Sequence, residues 1–135
     1  MALLVGPLVR RWLRPSGNFF EGDAEGFLDG IPRELNERLV GVYLNTKPYE
    51  GSGFVFTTRA IVIVEPDRVE RIPFADVNAY DLPEKQGTVL TISTRAGRRT
   101  LRVAGRHGPE ERYPDVVAFA GIFRAILRSK EAGRL

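Results

Sequence analysis

Between Leu39 and Val103 apolar and polar side chains alternate in short runs, each closed by a turn signal. Leu39–Thr46 is rich in strand-forming residues, and Phe54–Thr57 places Phe54 and Phe56 on one face. Thr58 and Arg59 make a close turn before Ala60–Val64, a continuous β-branched run of the kind that is buried on both sides. Pro66-Asp67 turns the chain into Arg68–Ile72, where Val69 faces away from Arg68 and Glu70. Val77–Leu82, Val89–Thr94 and Thr100–Val103 follow, the last two joined through Gly97 as a hairpin. Seven strands in so short a stretch predict an all-antiparallel sandwich or bent barrel.

The period then changes. Pro114 opens a helix with Asp115 in its first turn, where a carboxylate suits the dipole. Val116, Phe119, Ala120, Phe123, Ile126 and Leu127 recur at helical spacing, and Arg128 and Lys130 stand near the C-terminal end. One strongly apolar helix after seven strands predicts a cap over the open end of the sheet. At the other end, Leu3, Leu4, Leu8, Val9, Trp12 and Leu13 fit one side of a short helix that Pro7 interrupts and Pro15-Ser16-Gly17 stops. Asn18–Gly30 reads as an acidic, Gly-rich linker anchored by Phe19, Phe20 and Phe27, and Pro32 begins a further turn or two of helix. The expected organisation is therefore an N-terminal segment and linker over 1–30, a domain over 31–130 and a tail over 131–135.

Parts of the strand region resemble a known family. Gly53–Ile63 is similar to the strand-turn-strand of bacterial pleckstrin-homology-like (PH-like) and GRAM-type domains. Arg71-Ile72-Pro73-Phe74-Ala75-Asp76-Val77 resembles their "IPY-x-DI" segment, and Thr88–Ile92 their following "L-x-I" strand. The similarity covers residues 37–130. It implies a PH-like seven-stranded bent barrel or sandwich capped by one C-terminal helix. It also implies a binding module rather than an enzyme, since members of the superfold bind phosphoinositides, peptides or proteins. The first turn, Asn45–Ser52, holds one Lys offset by Glu50, which departs from the basic turn of the phosphoinositide binders.

Charge refines this picture. The 135 residues have a formal net charge of only +3, unevenly spread. Residues 1–14 hold three Arg and no acid, residues 15–94 are acidic, and residues 95–135 are basic again. Arg95, Arg98, Arg99, Arg102 and Arg106 crowd the last hairpin and form the candidate binding patch, for phosphate, an acidic protein surface or another copy's acidic segment. No aromatics lie between these cations, which disfavours nucleic acid. A second candidate is an anchor for a partner or an anionic membrane, made of Trp12, Leu8 and Leu13 with Arg10, Arg11 and Arg14. The positive charges follow the apolar stretch, the reverse of a secretion signal, while the acid-free start also suits a transit peptide.

Catalytic signals are weak. The chain has no cysteine and one histidine, so neither a thiolate site nor a histidine metal cluster forms within it. His107 reads as a solvent-exposed loop residue, and Ser16, Ser52, Ser93 and Ser129 have no evident base partner. No cofactor motif is present. The expectation is a non-catalytic, cytoplasmic interaction or scaffold module that binds a protein partner or self-associates. Its alternative is a peripheral membrane adaptor.

Overall fold

The computed structural model describes residues 3–22 and 37–133. Helix α1 (Val5–Leu13) and strand β1 (Phe19–Glu21) come first. Seven strands follow: β2 (Leu39–Leu44), β3 (Gly53–Thr57), β4 (Ala60–Glu65), β5 (Arg68–Pro73), β6 (Val77–Asp81), β7 (Val89–Thr94) and β8 (Gly97–Arg102). The chain closes with two-residue strands β9 (Arg106–His107) and β10 (Tyr113–Pro114), then helix α2 (Asp115–Glu131). One antiparallel sheet has the order β1-β2-β3-β4-β5 and another β6-β7-β8, while β9 pairs with β10; none of the three closes on itself.

Strand pairing follows from the alternation. Phe54, Phe56, Ile61 and Ile63 face inward from the first sheet, and Leu90, Ile92 and Leu101 from the second. Val116, Phe119, Ile122, Phe123 and Ile126 of α2 fill the space between. The Phe119 ring meets Phe54, Tyr43 and Phe56 edge-on, with centroids 5.1, 5.1 and 5.4 Å away. The opposite face of the first sheet holds a smaller cluster, Val42, Val55 and Val62, so β4 is buried on both sides as its unbroken apolar run predicts. Beside it the buried Glu37 carboxylate accepts from Thr57 Oγ1 at 2.6 Å and Arg71 Nη2 at 2.8 Å.

The N-terminal segment departs from the expected pattern. Pro7 does not interrupt α1, because it sits in the first turn, where backbone N–H groups lack helical acceptors. The first i→i−4 bond runs from Leu8 to the carbonyl of Leu4. The buried stripe is Val5, Val9 and Leu13, whereas Leu4 is 68% exposed. Phe19, read as a linker aromatic, is buried, and its residue pairs with Tyr43 as β1 joins β2. Phe27, Asp23, Glu25, Asp29 and the helix expected at Pro32 lie outside the described residues.

Candidate functional site

Alternation on β8 sends Leu101 into the core and leaves Arg98 and Arg102 exposed. The five arginines of the expected patch have different tasks. Arg99 Nε bonds both carboxylate oxygens of Glu70 at 2.8 Å, and Arg102 Nη1 lies 3.7 Å from Glu65. These pairs tie the second sheet to β4 and β5. Arg106 donates to the carbonyls of Glu111 and Arg112 and to Gln86 Oε1, holding the loop before α2. Only Arg95 and Arg98 keep unpartnered guanidinium groups, counting the described residues.

The candidate anchor also divides. Leu13 is fully buried. Arg14 bonds Glu21 through Nη2 at 2.9 Å and Nε at 3.2 Å, and Arg10 Nε lies 3.6 Å from the same carboxylate. The hydrogen bond from Arg14 holds the Glu21 carboxyl below its usual range. Leu8 and Trp12 are partly buried against the core, and Arg11 is exposed. Together they line a groove of about 270 Å³ with Gly121, Arg124, Ala125 and Arg128 of α2. Gly121 makes this approach feasible: a Cβ there would stand 2.6 Å from the Trp12 ring. Arg11, Arg124 and Arg128 have no acidic partner among the described residues. The structure thus adds Arg124, and it sets Arg128, expected only to suit the C-terminal end of the helix, beside the same groove.

The other arrangement missed in the sequence lies at the start of α2. Asp115 stands in the first turn of α2 as its sequence predicts, and it is also fully buried. Its Oδ2 accepts from the Ser16 hydroxyl at 2.5 Å and the Tyr43 hydroxyl at 2.7 Å, while Oδ1 meets His107 Nδ1 at 2.6 Å. Three donors satisfy the carboxylate without solvent. Tyr43 oxygen accepts from the Gly105 N–H at 2.9 Å, and the carbonyl of Gly105 accepts from the Asp115 N–H at 2.9 Å. Gly105 has no alternative here, since a Cβ would fall 2.2 Å from the Tyr43 oxygen and 2.3 Å from Asp115 Oδ2. Burial, reinforced by the Asp115 charge, raises the Tyr43 phenol well above its ordinary pKa.

His107 is therefore not a free loop residue. It belongs to β9, its side chain is only 19% exposed, and the Tyr113 ring lies 5.8 Å from its own. A carboxylate offers only acceptors, so Nδ1 donates to Asp115 and Nε2 is left for other contacts. His107 lines a cavity of about 240 Å³ between α1, β9 and the first turns of α2. Ser16 bonds the carboxylate and not the imidazole, and it is buried, so the trio does not form a nucleophile relay. Among the described residues no cluster of three metal-ligating side chains occurs, and no helix is long and apolar enough to cross a membrane. Comparison with family models, curated proteins and solved structures gives no match.

Proposed function

We propose that the chain is a non-catalytic interaction module of PH-like architecture that docks peripherally on an anionic membrane through its α1–α2 face. The architectural part is supported by the order of elements: β2–β5 in one antiparallel sheet, β6–β8 in another, then a C-terminal helix. Phe74, in the aromatic place of the segment that resembles the family, is buried as a core plug. On this reading α1 and β1 are additions that build a second surface.

The observation that carries the docking proposal is the pairing pattern of the arginines. Arg99 and Arg102 of the hairpin meet acids and unpaired Arg95 shares its groove with Glu70 and Asp76, whereas Arg11, Arg124 and Arg128 line a groove with Leu8, Trp12 and Ala125 and no acid. Leu4, the residue just before α1, is a further largely exposed leucine. An interfacial helix combines these features, with an indole and leucines at headgroup depth and guanidinium groups toward phosphate. Arginine crowding also opposes face-to-face pairing of two copies through this groove.

Co-sedimentation of the full chain with phosphatidylserine-containing and pure phosphatidylcholine vesicles tests the proposal. Each basic residue near an anionic surface contributes about 1 kcal/mol, so Arg11→Glu/Arg124→Glu/Arg128→Glu should lower binding by at least roughly 100-fold. Wild-type binding should need the anionic lipid and weaken with salt. A chain that ignores both vesicles, or a mass that rises with concentration in place of vesicle binding, would overturn the reading in favour of a protein partner or a second copy.

A further inference from the structure

We propose that the cavity beside His107 binds a small carboxylate carrying a flat apolar body, a site separate from the arginine groove. Four side chains give it apolar walls: Trp12 from α1, Tyr113 from β10, and Val117 and Ala118 from the first turns of α2. At about 240 Å³ it is below the size of a drug-binding pocket and suits one or two fused rings. Indole and phenol walls favour a planar guest, because aromatic faces stack and bury area with little ordering cost.

The polar end selects the charge. His107 and Lys85 line the cavity, and no acidic side chain does, since the Asp115 carboxylate is sealed behind the imidazole. Lys85 has neither a carboxylate nor a hydrogen-bond partner among the described residues. His107 is the better-placed group. Its ring is fixed by the 2.6 Å bond from Nδ1 to Asp115, and Nε2 has no protein partner among the described residues. With Nδ1 donating to Asp115, Nε2 is the ring atom left to share one proton with an incoming acid group. The ammonium of Lys85 supplies a fixed positive charge at the same cavity. Two such groups match a monoanionic carboxylate. A cation would be opposed by the Lys85 ammonium, and an uncharged ring would leave that ammonium without a partner.

The chain contains one histidine and one tryptophan, so each is an unambiguous reporter. The experiment is an NMR titration of the full chain with 2-naphthoate, following the His107 imidazole and Trp12 indole signals, beside an identical titration with 2-naphthamide. Both signals should move together and saturate with naphthoate, and the amide should bind at least about tenfold more weakly, the scale of a charge-assisted contact. Lys85→Gln, at an exposed position, should weaken naphthoate by a similar factor without changing the melting temperature. Val117→Trp, which fills the cavity from a partly exposed helix position, should abolish saturation while the protein stays folded. Equal affinity for acid and amide, an unchanged affinity in Lys85→Gln, or shifts confined to Trp12 would overturn the assignment; the last would place the guest in the arginine groove.

Discussion

Replacing Asp115 separates a holding network from incidental contact, because two substitutions at this position should behave very differently. Asp115→Ala removes the acceptor for the hydroxyls of Ser16 and Tyr43, which are 4% and 0% exposed. Each buried donor left without a partner costs ~1–3 kcal/mol, and losing the charge at the start of α2 adds ~0.3–1 kcal/mol. The expected destabilisation is therefore ~2–7 kcal/mol, a large part of the ~5–15 kcal/mol typical of a domain. Asp115→Asn keeps an oxygen toward Ser16 and Tyr43 and turns its amide toward His107. The imidazole can move its proton to Nε2 and accept at Nδ1, so this variant should lose only ~1–2 kcal/mol, the charge-assisted share. Urea unfolding followed by the fluorescence of Trp12 measures both, since the indole sits against α2 at Gly121. Equal losses in the two variants, or less than ~1 kcal/mol for alanine, would refute the reasoning and make Asp115 a tolerated polar residue rather than the tie between segments.

Three further outcomes follow from the packing. Phe119→Ala should cost ~3–5 kcal/mol in the same unfolding assay, because its ring is fully buried against three others; a loss below ~1 kcal/mol would contradict that position. Tyr43 keeps its proton in the folded chain at pH values where an unfolded tyrosine releases it. Its contribution is complete below pH ~10 and falls by up to ~1.4 kcal/mol per pH unit above that, a slope that Tyr43→Phe should lack in urea titrations between pH 8 and 11.5. Gly121→Ala should cost ~1–3 kcal/mol and red-shift the emission of Trp12, since the new methyl occupies the place of the indole; unchanged emission would mean that the ring does not rest there.

The strands and α2 were legible because their signals are local. Ile61, Val62 and Ile63 announce a strand buried on two faces, and the spacing of Phe119, Phe123 and Ile126 marks the inward side of the helix. Local reading failed where the partner is distant. Nothing near Phe19 indicates that its residue pairs with Tyr43, so in the sequence this strand reads as linker. Ser16, Tyr43 and His107 reach Asp115 from three separate places in the chain, and no spacing rule connects them. The weak signal was a lone acid just inside an apolar helix, opposite a lone histidine. The arginine patch misled for a related reason. A count of charges along the hairpin cannot show that Glu65 and Glu70 lie across from Arg102 and Arg99, so it overstates how much positive charge is free.

The bond between Ser16 and Asp115 joins residues 99 positions apart. Val5, Val9 and Leu13 likewise belong to the core that α2 completes. During synthesis, α1 therefore emerges long before its packing surface exists. At about 5–20 residues per second, the ribosome needs about 5–20 s to deliver α2 after α1 is made. For that interval an apolar stripe beside three arginines is open to whatever is near: a chaperone, a membrane or a second nascent chain. Closing this core therefore waits for α1 to meet α2.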